Sequence, residues 1–143
     1  MAVLRLAVVP AAGAAASFVA AAYLEGPVPA RTGGFGETTC HQCHWDNPLN
    51  DPAGRLTLSA PLIHTPGERY LITVDVAHPE LVLAGFQLSA RFDTGPAVGR
   101  SAGVLRPIDG LTQQVSDEAQ RIQYIQHTRE GASGQRRGTA QWT

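Results

Sequence analysis

The chain has 143 residues, enough for one domain and an N-terminal appendage. Eleven Lys and Arg against 12 Asp and Glu give a formal net charge of −1, and only 16% of residues are charged. This balance offers no electrostatic basis for binding nucleic acid or an anionic membrane surface. Apolar residues make up 43%, a figure raised by an Ala-rich start. There are two Cys, and the single Met is residue 1.

In chain order, Arg5 forms a short basic n-region, and Leu6 to Leu24 follow without a charge. Ala20, Ala21 and Ala22 offer an A-x-A-like cleavage site, so residues 1–24 are read as an export signal or, if uncleaved, an N-terminal anchor. Either reading places the rest of the chain beyond the membrane, in the periplasm or outside the cell. Residues 25–36 hold Pro27, Pro29, Gly33, Gly34 and Gly36, the composition of a linker with no packed element. There is no internal repeat.

Residues 37–54 carry the chemistry, in Cys40-His41-Gln42-Cys43-His44. Two thiols separated by two residues can reach both vinyl groups along one porphyrin edge. The His directly after the second Cys can then ligate the iron, so the motif predicts one covalent c-type haem held by Cys40 and Cys43, with His44 as proximal ligand. Two other readings stay open. One is a Cys40–Cys43 disulfide, which an oxidising compartment permits. The other is a metal site built from both Cys and two His, although the His spacing of a zinc finger is absent. Glu37, Asp46 and Asp51 read as loop and turn residues, not catalytic acids.

From 55 to 143 the pattern is β. Leu56, Leu58 and Ala60 alternate with polar neighbours; so do Tyr70, Ile72, Val74 and Val76, and then Phe86, Leu88, Ala90 and Phe92. A period of two places each apolar set on one strand face. Pro66-Gly67, Pro79, Gly95-Pro96 and Asp109-Gly110 mark turns, and a weaker strand runs from Arg121 to about His127. Strands with one apolar face need a second sheet to pack against, which argues for an immunoglobulin-like β-sandwich preceded by the coil haem segment.

No Met follows Met1, so a His/Met iron pair is excluded by composition. His41 lies inside the attachment loop. The remaining candidates for a distal ligand are His127, which shares a strand face with Ile125, then His64, then His78 before Pro79. Two axial His ligands predict one-electron transfer to a partner protein. Two further classes are carried beside it: an extracellular interaction or adhesion module stapled by a Cys40–Cys43 disulfide, and a haem-based small-ligand sensor. No nucleophile–base pair marks the chain as a hydrolase.

Several strings together resemble bacterial choice-of-anchor V-type proteins, in which a Cys-His segment precedes a reeler-like β-sandwich. They are Gly34-Phe35-Gly36-Glu37, Thr39 to His44, Asn47-Pro48-Leu49-Asn50, Pro66 to Tyr70, Ala84-Gly85-Phe86-Gln87-Leu88-Ser89-Ala90-Arg91, and Tyr124-Ile125-Gln126-His127-Thr128. The resemblance spans 34–143. It also implies that the strand at Gln141-Trp142-Thr143 is followed by about two closing strands, so the sandwich is expected to be truncated here.

Overall fold

The computed structural model describes residues 23–45, 48–132 and 137–143. The expected signal or anchor therefore lies outside the described residues apart from Tyr23 and Leu24, and Asp46 lies outside them too. Among the described residues no helix is long and apolar enough to cross a membrane.

The chain is mainly β, in two antiparallel sheets. The first holds β1 (Arg55–Ser59), β2 (Tyr70–Ala77), β4 (Leu105–Pro107) and β7 (Arg137–Trp142) in the order β1-β2-β7-β4. The second holds β3 (Gln87–Leu88), β5 (Thr112–Asp117) and β6 (Ile122–His127) in the order β3-β6-β5. The one α-helix among the described residues, α1 (Arg129–Ala132), spans four residues.

The β1–β2 hairpin follows from its turn. Glu68 N–H donates to Thr65 O at 3.1 Å, and Gly67 has φ +86°. Pro then Gly at the two central positions is the signature of a type II turn, where only the second needs positive φ. Tyr70 locks the loop by accepting the Thr65 N–H on its hydroxyl at 2.7 Å.

Both sheets contribute to one core. Ile72, Leu105 and Ala140 from the first meet Ile125 from the second, with Phe86, Leu88, Ala90 and Trp142 packed around them. A Cβ on Gly138 would collide with the Phe86 ring, so glycine at this point of β7 makes room for the aromatic.

Three expectations changed in detail. The strand foreseen over Phe86 to Phe92 pairs only at Gln87–Leu88 and then continues as a lone bridge, Arg91 with Ser101. β4 and β5 carried no alternation signal: β4 is three residues ending in Pro107, and β5 is Thr-Gln-Gln-Val-Ser-Asp. β5 is held by its ladder to β6 and by the Thr112 hydroxyl donating to Thr139 O at 3.1 Å. Third, β1 is paired but exposed along its whole length, with Leu56 at 66% and Leu58 at 51%.

The segment expected as a free linker is a strap laid on the second sheet. Phe35 and Gly36, at φ 52° and 81°, form a tight turn closed by Glu37 N–H to Gly34 O at 3.0 Å, and Thr32 bridges Thr39. Two consecutive left-handed residues are the hairpin turn that suits strand twist. Gln87 latches the strap: its Oε1 accepts Arg31 N–H at 2.8 Å, and its Nε2 donates to Val28 O at 3.2 Å and to Gln126 Oε1 at 2.8 Å. The Gln113 amide adds a bond to Glu25 O.

Candidate functional site

Cys40–Gln42 form a single 3-10 turn. Cys43 N–H donates to Cys40 O at 3.1 Å, and His44 N–H to the same oxygen at 3.0 Å. With three residues per turn, positions i and i+3 eclipse, so the spacing of the motif brings both thiols to one side. Both are free.

That side faces a cavity of about 410 Å³. Cys40, Cys43 and His44 line it, and so does His127 from the end of β6. The remaining wall is largely aliphatic and aromatic, including Val28, Val76, Leu81, Leu83 and Phe86. An apolar, concave site with a few convergent polar groups is the usual form of a cofactor pocket, typically about 300–1,000 Å³. Cys40, Cys43 and His44 thus share a cavity with His127 because the strap lies across the second sheet, with Gly26 against Gln126 and Glu37 on Tyr124.

His127 is buried, and its ring is held by backbone. Nδ1 lies 3.1 Å from Phe86 N and 3.2 Å from Phe86 O; Nε2 lies 3.3 Å from Tyr23 O. When Nδ1 accepts from Phe86 N–H, Nε2 carries the proton and donates to Tyr23. When Nδ1 instead donates to Phe86 O, Nε2 presents a lone pair, the tautomer a metal ligand uses. Gly85 permits this approach: a Cβ there would sit 2.6 Å from His127 Cε1.

The other histidines fall elsewhere. His64 packs edge-on against Trp142, with ring centroids 5.1 Å apart. His78 Nδ1 accepts the Glu80 N–H at 3.1 Å within a local turn. Neither lines the cavity, nor does His41. Among the described residues no group of three or more His, Cys, Asp and Glu side chains is placed to hold a bare metal ion.

The Cys40 thiol retains exposed surface, yet its pKa is raised above the ordinary value because the cavity wall partly excludes water from it. Its own backbone and the Arg31 charge act in the opposite direction, while Cys43 adds to the rise.

Glu37 has a role that its loop position did not reveal. Its carboxylate pairs with Arg91, their side chains only 5% and 4% exposed. It also accepts from the Tyr124 hydroxyl, the Thr32 hydroxyl and the Thr32 N–H, while Arg91 donates to Tyr124 Oη at 2.7 Å. The Arg91 guanidinium lies 5.2 Å from the Phe35 ring centroid and 5.6 Å from that of Tyr124. A charge pair between the strap and the segment after β3, hydrogen-bonded to Tyr124 and Thr32 and out of water, fixes the strap three residues before Cys40. Asp51, by contrast, is the turn residue expected, accepting Ala53 N–H at 2.8 Å.

No protein-family model, curated protein or solved structure matches this chain. The residues present fit a covalent haem: two free thiols on one turn, two imidazoles, and an apolar chamber bounded by all four.

Proposed function

We propose that the chain is an exported monohaem c-type cytochrome-like protein, a one-electron carrier on a reeler-like β-sandwich. The observation that carries this reading is the convergence of Cys40, Cys43, His44 and His127 on one apolar cavity. Spacing in the sequence ties together the first three and offers His127 only as the first of three distant candidates. His127, 83 positions beyond His44 in the chain, is brought to the same chamber by the fold.

Cys40 and Cys43 would supply the two thioether sulfurs, His44 the proximal nitrogen and His127 Nε2 the distal one. When bound, haem ligated by two His supplies a low-spin one-electron couple with no open position for substrate. The aliphatic wall excludes water from the site, and burial of this kind tunes a redox potential. Phe86 O is placed to accept from His127 Nδ1, which orients the ring and leaves Nε2 unprotonated. Tyr23 O must release Nε2 for that nitrogen to serve as a ligand. The redox partner is a second protein outside the cytoplasm, and the N-terminal segment is either the signal removed on export or the anchor kept after it.

The test is an absorption spectrum, oxidised and reduced, of the protein exported together with haem-maturation machinery, with haem staining on a denaturing gel. A stained band with sharp low-spin reduced bands is expected. A colourless, unstained protein with Cys40 and Cys43 disulfide-linked would overturn the cytochrome reading and leave an interaction module.

One observation favours a second reading, a haem-based small-ligand sensor: in this structure His127 Nε2 is already met by the Tyr23 carbonyl. His127→Ala separates the two. Conversion of the holoprotein from low to high spin supports electron transfer through a two-His site. An unchanged high-spin spectrum in both proteins supports the sensor.

A further inference from the structure

Among the described residues lining the cavity, Arg31 alone carries a permanent charge. Main chain and side chain both hold it in place. The main-chain N–H is bonded to Gln87 Oε1 at 2.8 Å, and Nη1 donates to Ala30 O and to the Thr38 hydroxyl, each at 2.9 Å. Among the described residues no carboxylate forms an ion pair with it: Glu25 pairs with Arg129, Glu37 with Arg91, and Asp75 with Arg137.

This charge lies on the attachment side of the cavity. Cys40 follows nine residues later in the same strap, and its thiol approaches Arg31 O at 4.0 Å. Burial raises the Cys40 pKa and the Arg31 charge works against that rise, so the guanidinium is within electrostatic reach of the thiol. A protoporphyrin joined to Cys40 and Cys43 through its vinyl groups turns its own carboxylates to the opposite edge. Those carboxylates therefore do not neutralise Arg31. Oxidised iron carries one more positive charge than reduced iron, and a fixed cation beside a partly dry site disfavours the oxidised form. We propose that Arg31 raises the reduction potential of the haem held in this cavity. One electron from the redox partner takes the iron from ferric to ferrous, and Arg31 favours the ferrous product by charge alone. It thereby offsets part of the lowering that two His ligands bring. This inference rests on the haem reading of the site and adds to it a residue that sets the potential.

The experiment is a potentiometric titration of the full chain matured with covalent haem, as wild type, Arg31→Gln and Arg31→Lys. Unchanged low-spin bands in each protein show that both axial ligands are kept. Arg31→Gln is expected to lower the equilibrium constant for reduction by about tenfold, about 59 mV for one electron. Arg31→Lys keeps the charge but not the planar fork of donors, so its potential should stay near that of wild type. A loss of the hydrogen bonds to Ala30 and Thr38 would lower both variants alike. That result, or a wild-type potential in Arg31→Gln, overturns the role of Arg31 and leaves the haem reading standing. A wild-type protein that takes up no haem overturns both.

Discussion

At the residue scale, Glu37 matters more to this site than its neighbours suggest. Its carboxylate neutralises Arg91 out of water, and three donors satisfy its oxygens besides Arg91: the Tyr124 and Thr32 hydroxyls and the Thr32 N–H. Removing it leaves a buried cation uncompensated. Glu37→Ala is expected to lower stability by about 3–5 kcal/mol in urea unfolding, since breaking a buried pair costs more than the pair contributes. Tyr124 belongs to the same network. Burial pushes its phenol pKa above the ordinary 10.0, only partly offset by Arg91. The folded state then holds this proton more tightly than the unfolded state. Stability from this group is intact below pH 10.0 and falls as pH rises through the folded pKa. Alkaline unfolding titrations of wild type and Tyr124→Phe should diverge in that range, with the variant lacking this part of the loss.

At the element scale, the strap converts a Gly/Pro-rich stretch into a structural layer. β6 is buried along most of its length: Ile125 faces the shared core, while Ile122, Tyr124 and Gln126 occupy the other face. Tyr124 is covered there by Arg91 and Glu37, and Gly26 of the strap lies against the Gln126 side chain. Gly26 has φ +94°, and a Cβ there would collide with Gln126. Gly26→Ala should therefore loosen the strap without unfolding the sheets. Hydrogen exchange is expected to rise at the Arg31 amide, bonded to Gln87, while Ile125 stays protected. Exchange rising equally at both would show that the strap and sheets open as one unit. The same layer explains two of the sequence strings. In Gly85-Phe86-Gln87-Leu88, Gly85 admits His127, Phe86 holds its Nδ1, Gln87 latches the strap and Leu88 enters the core. In Tyr124-Ile125-Gln126-His127, alternate residues serve the strap and the core.

At the scale of the whole molecule, the apolar surface is unevenly used. Leu56 and Leu58 pair with Val76 and Val74 across the hairpin, so their side chains share the face on which Val74 is buried. Val74 is covered and the two leucines are not, because the shared core lies over β2, β7 and β4. Leu58→Lys is expected to change stability by no more than about 0.5 kcal/mol. Ile125→Ala, which empties a site between the sheets, should cost about 2–5 kcal/mol. Thermal or urea denaturation of the two variants checks the contrast, and a large loss in Leu58→Lys would mean that the β1 face is covered in solution.

Alternation made β1 and β2 legible in the sequence, because each has a regular period of two, and Pro66-Gly67 fixed the turn between them. The Cys40 to His44 spacing was equally local: a 3-10 turn is determined by a few adjacent residues, and both thiols follow it. β4 and β5 were not legible, since a strand of Thr, Gln and Ser is held by cross-strand bonds to partners that the local pattern does not name. Nor was the strap, whose amides and carboxylate find Gln87, Gln113, Arg91 and Tyr124 from 50 to 90 residues away. What the sequence by itself determined is the short-range chemistry, two thiols and an imidazole at fixed offsets. Local context ranked His127 first, on a strand face with Ile125, ahead of His64 and His78, but only the tertiary structure decided which distant histidine reaches the same chamber. The three differ in whether the packing of two sheets and a strap turns them into the cavity, and His127 alone among the three lines it.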